Sequence, residues 1–289
     1  MIVFLLIFLS LLLFFPEIAI TGSKYGVTLW VTQLIPTLLP FFILIRLLYH
    51  WLPRFSSSRP FLLLGLLCGY PAGASLVAGQ YSRGLLSQRK AYFYLGFVNN
   101  PSPMFVMVFC GHTILHLSTS QSFGLFGLLI LSSFLGSILF YGLSSQFVPD
   151  TTKNMGKSVS PETCQKINIQ LVDEVIMESF IILLRIGGYV TLFSILGQCM
   201  STLFSASNWV TAPLTGCLEI TCGTSYLAAI PISHETKKVL MMSILSFGGF
   251  SAAAQTGSVL SSTDLSLFYY IIIKLLNCFV ATCLTAYLL

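Results

Sequence analysis

Along most of the chain, apolar residues run on with almost none of the charge that would interrupt a lipid-facing helix. A helix needs about 20 residues to cross the ~30 Å hydrocarbon core of a bilayer. Runs of that order predict spans over Ile2–Ile18, Gly26–His50, Tyr92–Gly111, Phe123–Phe147, Ser179–Ser201, Val239–Leu260 and Ser266–Leu288. Two further apolar segments, Phe61–Tyr81 and Ala212–Pro231, are broken near their middles by Gly, Pro and polar residues. Pro71 and Pro213 read as first-turn residues of half-helices, where the missing donor does no harm. Both segments are expected to be re-entrant or broken helices that leave by the face they enter. Irregular backbone at that depth survives only where protein or a water-filled cavity covers it.

Three predicted crossings separate the two broken segments, an odd number, so the second enters from the opposite face. The halves then match as an inverted repeat at an offset of about 149 residues, the weak internal symmetry typical of such folds. Gly69-Tyr70-Pro71 falls against Leu218-Glu219-Ile220, and Phe97-Val98-Asn99-Asn100 near Phe247-Gly248-Gly249. The fold class expected is an all-α polytopic membrane protein, with about seven crossings and two re-entrant or broken helices in inverted repeats. Its parts would be an extra helix over 1–25, a first repeat over 26–147, a polar linker and amphipathic helix over 148–178, and a second repeat over 179–289. The first run lacks a basic lead and a convincing cleavage site, so it reads as a retained helix. Ile167–Met177 reads either as a surface helix or as a plain lead-in to the next span.

Loop charge sets orientation. Arg54, Arg59, Arg83, Arg89, Lys90, Lys153, Lys157 and Lys166 collect on one side, against Lys24, Lys237 and Lys238 on the other. By the excess of cytoplasmic lysine and arginine, the N-terminus is inside and the C-terminus outside. The 289 residues are 55% hydrophobic and only 8% charged, far below the roughly 25% charge of soluble domains. The lipid bilayer is therefore the first partner, and a net charge of +5 gives no reason to expect nucleic acid. The eight cysteines lie mostly in apolar sequence without zinc spacing. A homo-oligomer stays open.

Ionisable groups inside a span are costly and are functional-site hypotheses by default. Glu219 sits in the middle of the second broken segment, either as a ligand group or as an anchor for unwound backbone. Arg185 would pair with it or snorkel to the interface. Lys274, in the last span, would cap a cavity or pair with a carboxylate, the plain structural role being preferred. Asn99 and Asn100 precede Pro101, which frees a carbonyl; their amides would read a ligand or repair the backbone. The expected substrate contacts are Asn99, Asn100, Ser102, Glu219, Thr221, Ser251 and Gln255. Gly69, Gly73, Gly223, Gly248 and Gly249 would allow close backbone approach, with Tyr70, Phe97, Phe247 and Phe250 as flanking walls. No metalloprotease, nucleophile-elbow or phosphate-loop signature occurs, so no enzyme, no metal site and no cofactor is expected. One carboxylate leaves room for a coupling ion or proton.

Four motifs carry a resemblance: Cys68-Gly69-Tyr70-Pro71-Ala72-Gly73-Ala74, Phe97-Val98-Asn99-Asn100-Pro101-Ser102-Pro103, Leu218-Glu219-Ile220-Thr221-Cys222-Gly223, and Ser246-Phe247-Gly248-Gly249-Phe250-Ser251 through Gln255. In this order, over roughly residues 26 to 289, the chain resembles the sporulation integral membrane protein YlbJ group of nucleoside-recognition, or Gate, domain proteins. The resemblance implies a multi-pass protein of the bacterial cytoplasmic membrane with transporter-like gating repeats, linked in spore formers to cortex formation. The family name points to a small polar, nucleoside-like solute. A shorter linker and the plain run Ala252-Ala253-Ala254 depart from the pattern and suggest a paralogue outside sporulation. The competing expectation is a membrane assembly factor that works through partners.

Overall fold

The computed structural model describes residues 8–10, 12–51, 59–148, 150, 169–203 and 208–288. The start of the expected first span and most of the 148–166 linker lie outside these residues. Among the described residues every regular element is helical. Five helices are long and apolar enough to cross a bilayer: Pro16–Leu44, Thr119–Gln146, Ile169–Met200, His234–Leu260 and Leu267–Leu288.

The first half opens with α1 (Pro16–Leu29), a five-residue π-helical turn (Trp30–Leu34) and α2 (Ile35–Trp51), continuous in one direction. This helix begins ten residues before the expected start at Gly26, because Pro16 occupies its first turn, where no amide donor is needed. A short pair follows, α3 (Arg59–Cys68) and α4 (Ala72–Ser82). Next come α5 (Gln88–Val98), an irregular break, an eleven-residue π-helical stretch (Met104–Ile114) and the long α6 (Thr119–Leu143). The expected span over Tyr92–Gly111 is thus two short helices. A capping box between Ser118 and Gln121 starts α6 and satisfies donors that lipid cannot.

The second half repeats that order: long α7 (Ile169–Leu203), short pair α8 (Asn208–Leu218) and α9 (Ile220–Ala229), broken pair α10 (His234–Phe247) and α11 (Gly249–Leu260), long α12 (Leu267–Leu288). At 35 residues, α7 is about 50 Å long, more than the core is thick. Residues 169–177 are the overhang of this one helix, so the lead-in reading holds and a separate surface helix does not. Pro213 is also not where it was expected. It lies inside α8, in the second turn from Asn208.

α8 and α9 fold back on each other so closely that a Cβ at Gly223 would fall on the Gly216 backbone. In the first pair Gly65 on α3 and Gly73 on α4 both face Val98, so the two arms straddle the end of α5. The two halves interlock reciprocally: α4 packs on α11, and α9 on the π-helical Met104–Ile114 stretch. α1 and α2 run along α7, and α6 along α12. Buried Ser132, Ser133, Gly136 and Ser137 line one side of α6, the small-residue surface that lets helices approach in lipid.

Candidate functional site

Each hairpin tip abuts the helix break that follows it in its own half. Gly69, at φ +70°, lies so near Ser102 that a Cβ would come within 2.8 Å of its backbone nitrogen. Gly249, at φ +80°, follows Gly248 at φ +83°; a Cβ on Gly249 would sit 3.0 Å from the Gly216 carbonyl and 3.2 Å from that of Leu218. Only glycine takes these conformations without strain. Tyr70 crosses between the halves, its hydroxyl lying against Gly248. Gly73 approaches the Val98 carbonyl, and Gly223 approaches Gly216. These glycines thus let the chain approach itself closely, backbone to backbone at Gly69, Gly73, Gly223 and Gly249 and against the Tyr70 side chain at Gly248.

Between the two tips lies a chamber of about 60 Å³. Its polar lining comprises Ser102, Glu219, Thr221, Ser251 and Gln255, with Gly69 and Tyr70 from the first tip. Leu34, Leu38, Phe42, Phe105, Ile186 and Val190 close the apolar side. Of the aromatic walls expected, Tyr70 alone faces it. Phe97 packs on Phe93 and Phe134, and Phe247 on Phe250; Phe42 and Phe105 take their place. A wider cavity of about 450 Å³ adjoins the chamber, sharing Phe42, Cys68 and Gln255 as lining. Arg46, Glu178, Arg185, Ser75, Tyr189 and Ser258 face it. Arg46 of α2 pairs with Glu178 of α7 across it. Arg185 faces this wider cavity rather than pairing with Glu219.

Glu219 is the single extended residue (φ −148°, ψ 125°) between α8 and α9. Its N–H closes α8 on the Thr215 carbonyl at 2.8 Å, and its carbonyl receives the Gly223 N–H at 3.0 Å. Its carboxylate accepts the Cys222 N–H at 2.7 Å and so caps α9 at the end where the helix dipole favours negative charge. It is 2% exposed. The anchoring role and the cavity-facing role thus coexist in one side chain.

Asn99 and Asn100 stand one layer behind the chamber. Asn99 accepts the Ala74 N–H at 3.1 Å and donates to Thr256 and Tyr270 at 2.9 and 3.0 Å. Asn100 donates to the Phe97 carbonyl at 2.7 Å and accepts from Ser133 and Lys274 at 3.0 and 2.9 Å. Asn100 repairs the break at the Phe97 carbonyl, Asn99 ties it to α4, α11 and α12, and neither lines the chamber. Lys274, for which the plain structural role is expected, is buried on α12. It meets no carboxylate among the described residues; its ammonium reaches Asn100 Oδ1 and, at 3.4 Å, the Asn99 carbonyl. Tyr270, Lys274 and Asn277 stand at i, i+4 and i+7 on α12, all essentially buried, and this polar stripe faces the α5 break. Helical spacing of three polar residues in the last apolar run was the signal that could have revealed it.

No family model matches the chain, and no solved structure matches it. It is 26% identical to "Sporulation integral membrane protein YlbJ" of Bacillus subtilis (strain 168), over 91% of this chain and 75% of that protein. That protein is an integral membrane protein by name, and the apolar helices here agree with a multi-pass membrane protein. The comparison thus finds the family to which the four motifs point, the sporulation integral membrane protein YlbJ group.

Proposed function

We propose that this protein is a transporter-like membrane protein of the nucleoside-recognition, or Gate, type, which moves or senses a small polar solute between two inverted repeats. The observation that carries this reading is the convergence of both hairpin tips on one small, largely apolar chamber with a polar end, beside a solute-sized cavity. Paired, broken segments in corresponding halves are where secondary transporters bind. The repeated element order and the reciprocal packing of α4 on α11 and of α9 on the π-helical stretch support the inverted repeat. In this reading the first repeat opens with the continuous Pro16–Trp51 helix and ends near 147, the second spans 179–289, an extra helix lies ahead of Pro16, and a cytoplasmic linker joins the repeats. Seven crossings put the N-terminus inside and the C-terminus outside a bacterial cytoplasmic membrane.

Size divides the site in two. Ligand pockets for small molecules run roughly 300–1,000 Å³, so a nucleoside-sized solute fits the 450 Å³ cavity. The 60 Å³ chamber suits waters or an ion, since one water needs only about 10–15 Å³ measured this way. Glu219, Thr221, Ser102, Ser251 and Gln255 then read the polar end of the solute, with Gln255 at the junction. Asn99 and Asn100 hold the first break in shape. The relative's name supports a link of this process to sporulation, and the departures in the linker and at Ala252-Ala253-Ala254 speak for a paralogue outside it.

The test is a melting-temperature screen of purified protein against nucleosides, amino acids, sugars and divalent metals, followed by the Glu219→Gln variant. A stabilising solute should lose about tenfold or more in affinity in that variant, the scale of one lost charge-assisted hydrogen bond. Unchanged affinity would remove Glu219 from solute recognition. The competing reading, a membrane assembly factor, draws on the relative's name, which gives a process and no solute. It prevails if a deletion phenotype is restored by Glu219 and Gln255 variants but not by variants of the outer loops.

A further inference from the structure

Among the described residues, two charged side chains are buried: Glu219, 2% exposed, and Lys274, 1% exposed. Glu219 has its helix cap. Lys274 meets no opposite charge among the described residues, although burying an unpaired ammonium is ordinarily costly. What surrounds it is a set of neutral acceptors, Asn100 Oδ1 at 2.9 Å and the Asn99 carbonyl at 3.4 Å, and the face of the Tyr70 ring, whose centroid is 5.4 Å away. Behind these oxygens α5 ends, and the end of a helix carries partial negative charge. Three of its last carbonyls are engaged. That of Leu95 takes the Asn99 N–H, that of Gly96 takes Asn277 Nδ2 at 2.9 Å, and that of Phe97 takes Asn100. Carbonyl and amide oxygens at a half-helix C-terminus are the surroundings in which transporters hold a coupling cation, and an aromatic face adds to the attraction.

We propose that the Lys274 ammonium is a tethered cation, fixed by α12 in the position a dissociable monovalent cation would take at the α5 break. At the corresponding break in the second half no such group stands among the described residues. There α10 closes with Gly248 in the left-handed conformation, its N–H on the Ile244 carbonyl at 2.9 Å. The two breaks are thus stabilised by different means, one by a covalently attached charge from the other half, the other by glycine geometry. The tether also touches Tyr70 at the first hairpin tip, so it links that tip, the break and α12. That the tether frees solute movement from a metal cation at this break rests on the transport reading. The charge replacement itself does not.

The experiment is thermal melting of purified wild type, Lys274→Ala and Lys274→Met in choline chloride, with sodium, ammonium or methylammonium exchanged for choline at constant ionic strength. Lys274→Ala should melt several degrees lower in choline and recover saturably as a small cation fills the vacated space, beyond any response of the wild type. Lys274→Met, which fills the space without charge, should be destabilised and gain no cation response. The proposal is overturned if Lys274→Ala responds to cations no more than the wild type does. It is equally overturned if Lys274→Met is as stable as the wild type in choline, since the side chain is then only packing. If Lys274→Ala cannot be purified in choline, purification in ammonium that succeeds supports the proposal, and failure in every cation overturns it. No solute enters these measurements, so they stand even if solute binding is never found.

Discussion

At Glu219 one carboxylate serves a fold and faces a cavity, and the two duties can be separated by substitution. The acceptor that Cys222 N–H uses is a single oxygen at 2.7 Å, which the amide oxygen of glutamine can replace. Glu219→Gln should therefore keep the α8–α9 turn and lose little stability. Glu219→Leu, by contrast, strands the Cys222 donor in a buried position and should cost about 1–2 kcal/mol, the range of a lost N-cap. Thermal melting of the two variants side by side checks this. If both lose stability equally, the cap is not what the carboxylate supplies. Tyr270→Phe is a milder case: it removes one of the two partners of Asn99 Nδ2 but leaves Thr256. A loss near 1 kcal/mol is expected, measurable by denaturation in detergent.

At the scale of elements the hairpins are tightened by glycines, and the glycines differ in what a methyl group would meet. A Cβ on Gly223 falls on the Gly216 backbone, whereas one on Gly79 of α4 meets nothing within 4 Å. Gly223→Ala should force α8 and α9 apart at a cost of about 1–3 kcal/mol. Gly79→Ala should be neutral or gain up to about 1 kcal/mol from helix propensity. Equal melting temperatures for the pair would mean that the hairpin tolerates separation. The hairpins themselves were legible in the sequence, because Gly, Pro and Glu inside apolar runs leave backbone groups that only a covered turn can satisfy. The breaks at Pro101 and at Gly248-Gly249 were legible for the same reason. The duty of Asn99 and Asn100 was not, because an amide beside a break satisfies either a solute or the backbone, and only the positions of Ala74, Tyr270 and Lys274 decide between them. The partners of Lys274 were not legible, because they are neutral oxygens more than 170 residues away, which no local pattern contains.

At the scale of the whole molecule, the wider cavity depends on how far α2 of the first half stands from α7 of the second, a distance that no single segment encodes. The Arg46–Glu178 pair joins those two helices where both face the cavity. Its side chains are 33% and 54% exposed, so solvent screens it and its contribution is at most about 1 kcal/mol. For the fold that is negligible, but for two arrangements of the halves in near balance it shifts the ratio about fivefold. Cys68 lines both the chamber and the cavity, which makes its thiol a reporter of access. In a variant that keeps Cys68 and replaces the other seven cysteines, Arg46→Gln should change the rate of labelling by a water-soluble maleimide two- to fivefold. High salt should produce part of the same change, because it screens an exposed pair. The doubly reversed variant, Arg46→Glu with Glu178→Arg, should return the rate toward that of the parent. A labelling rate indifferent to all three would mean that the halves do not move against each other at this contact, and that the pair only ties two helix faces together.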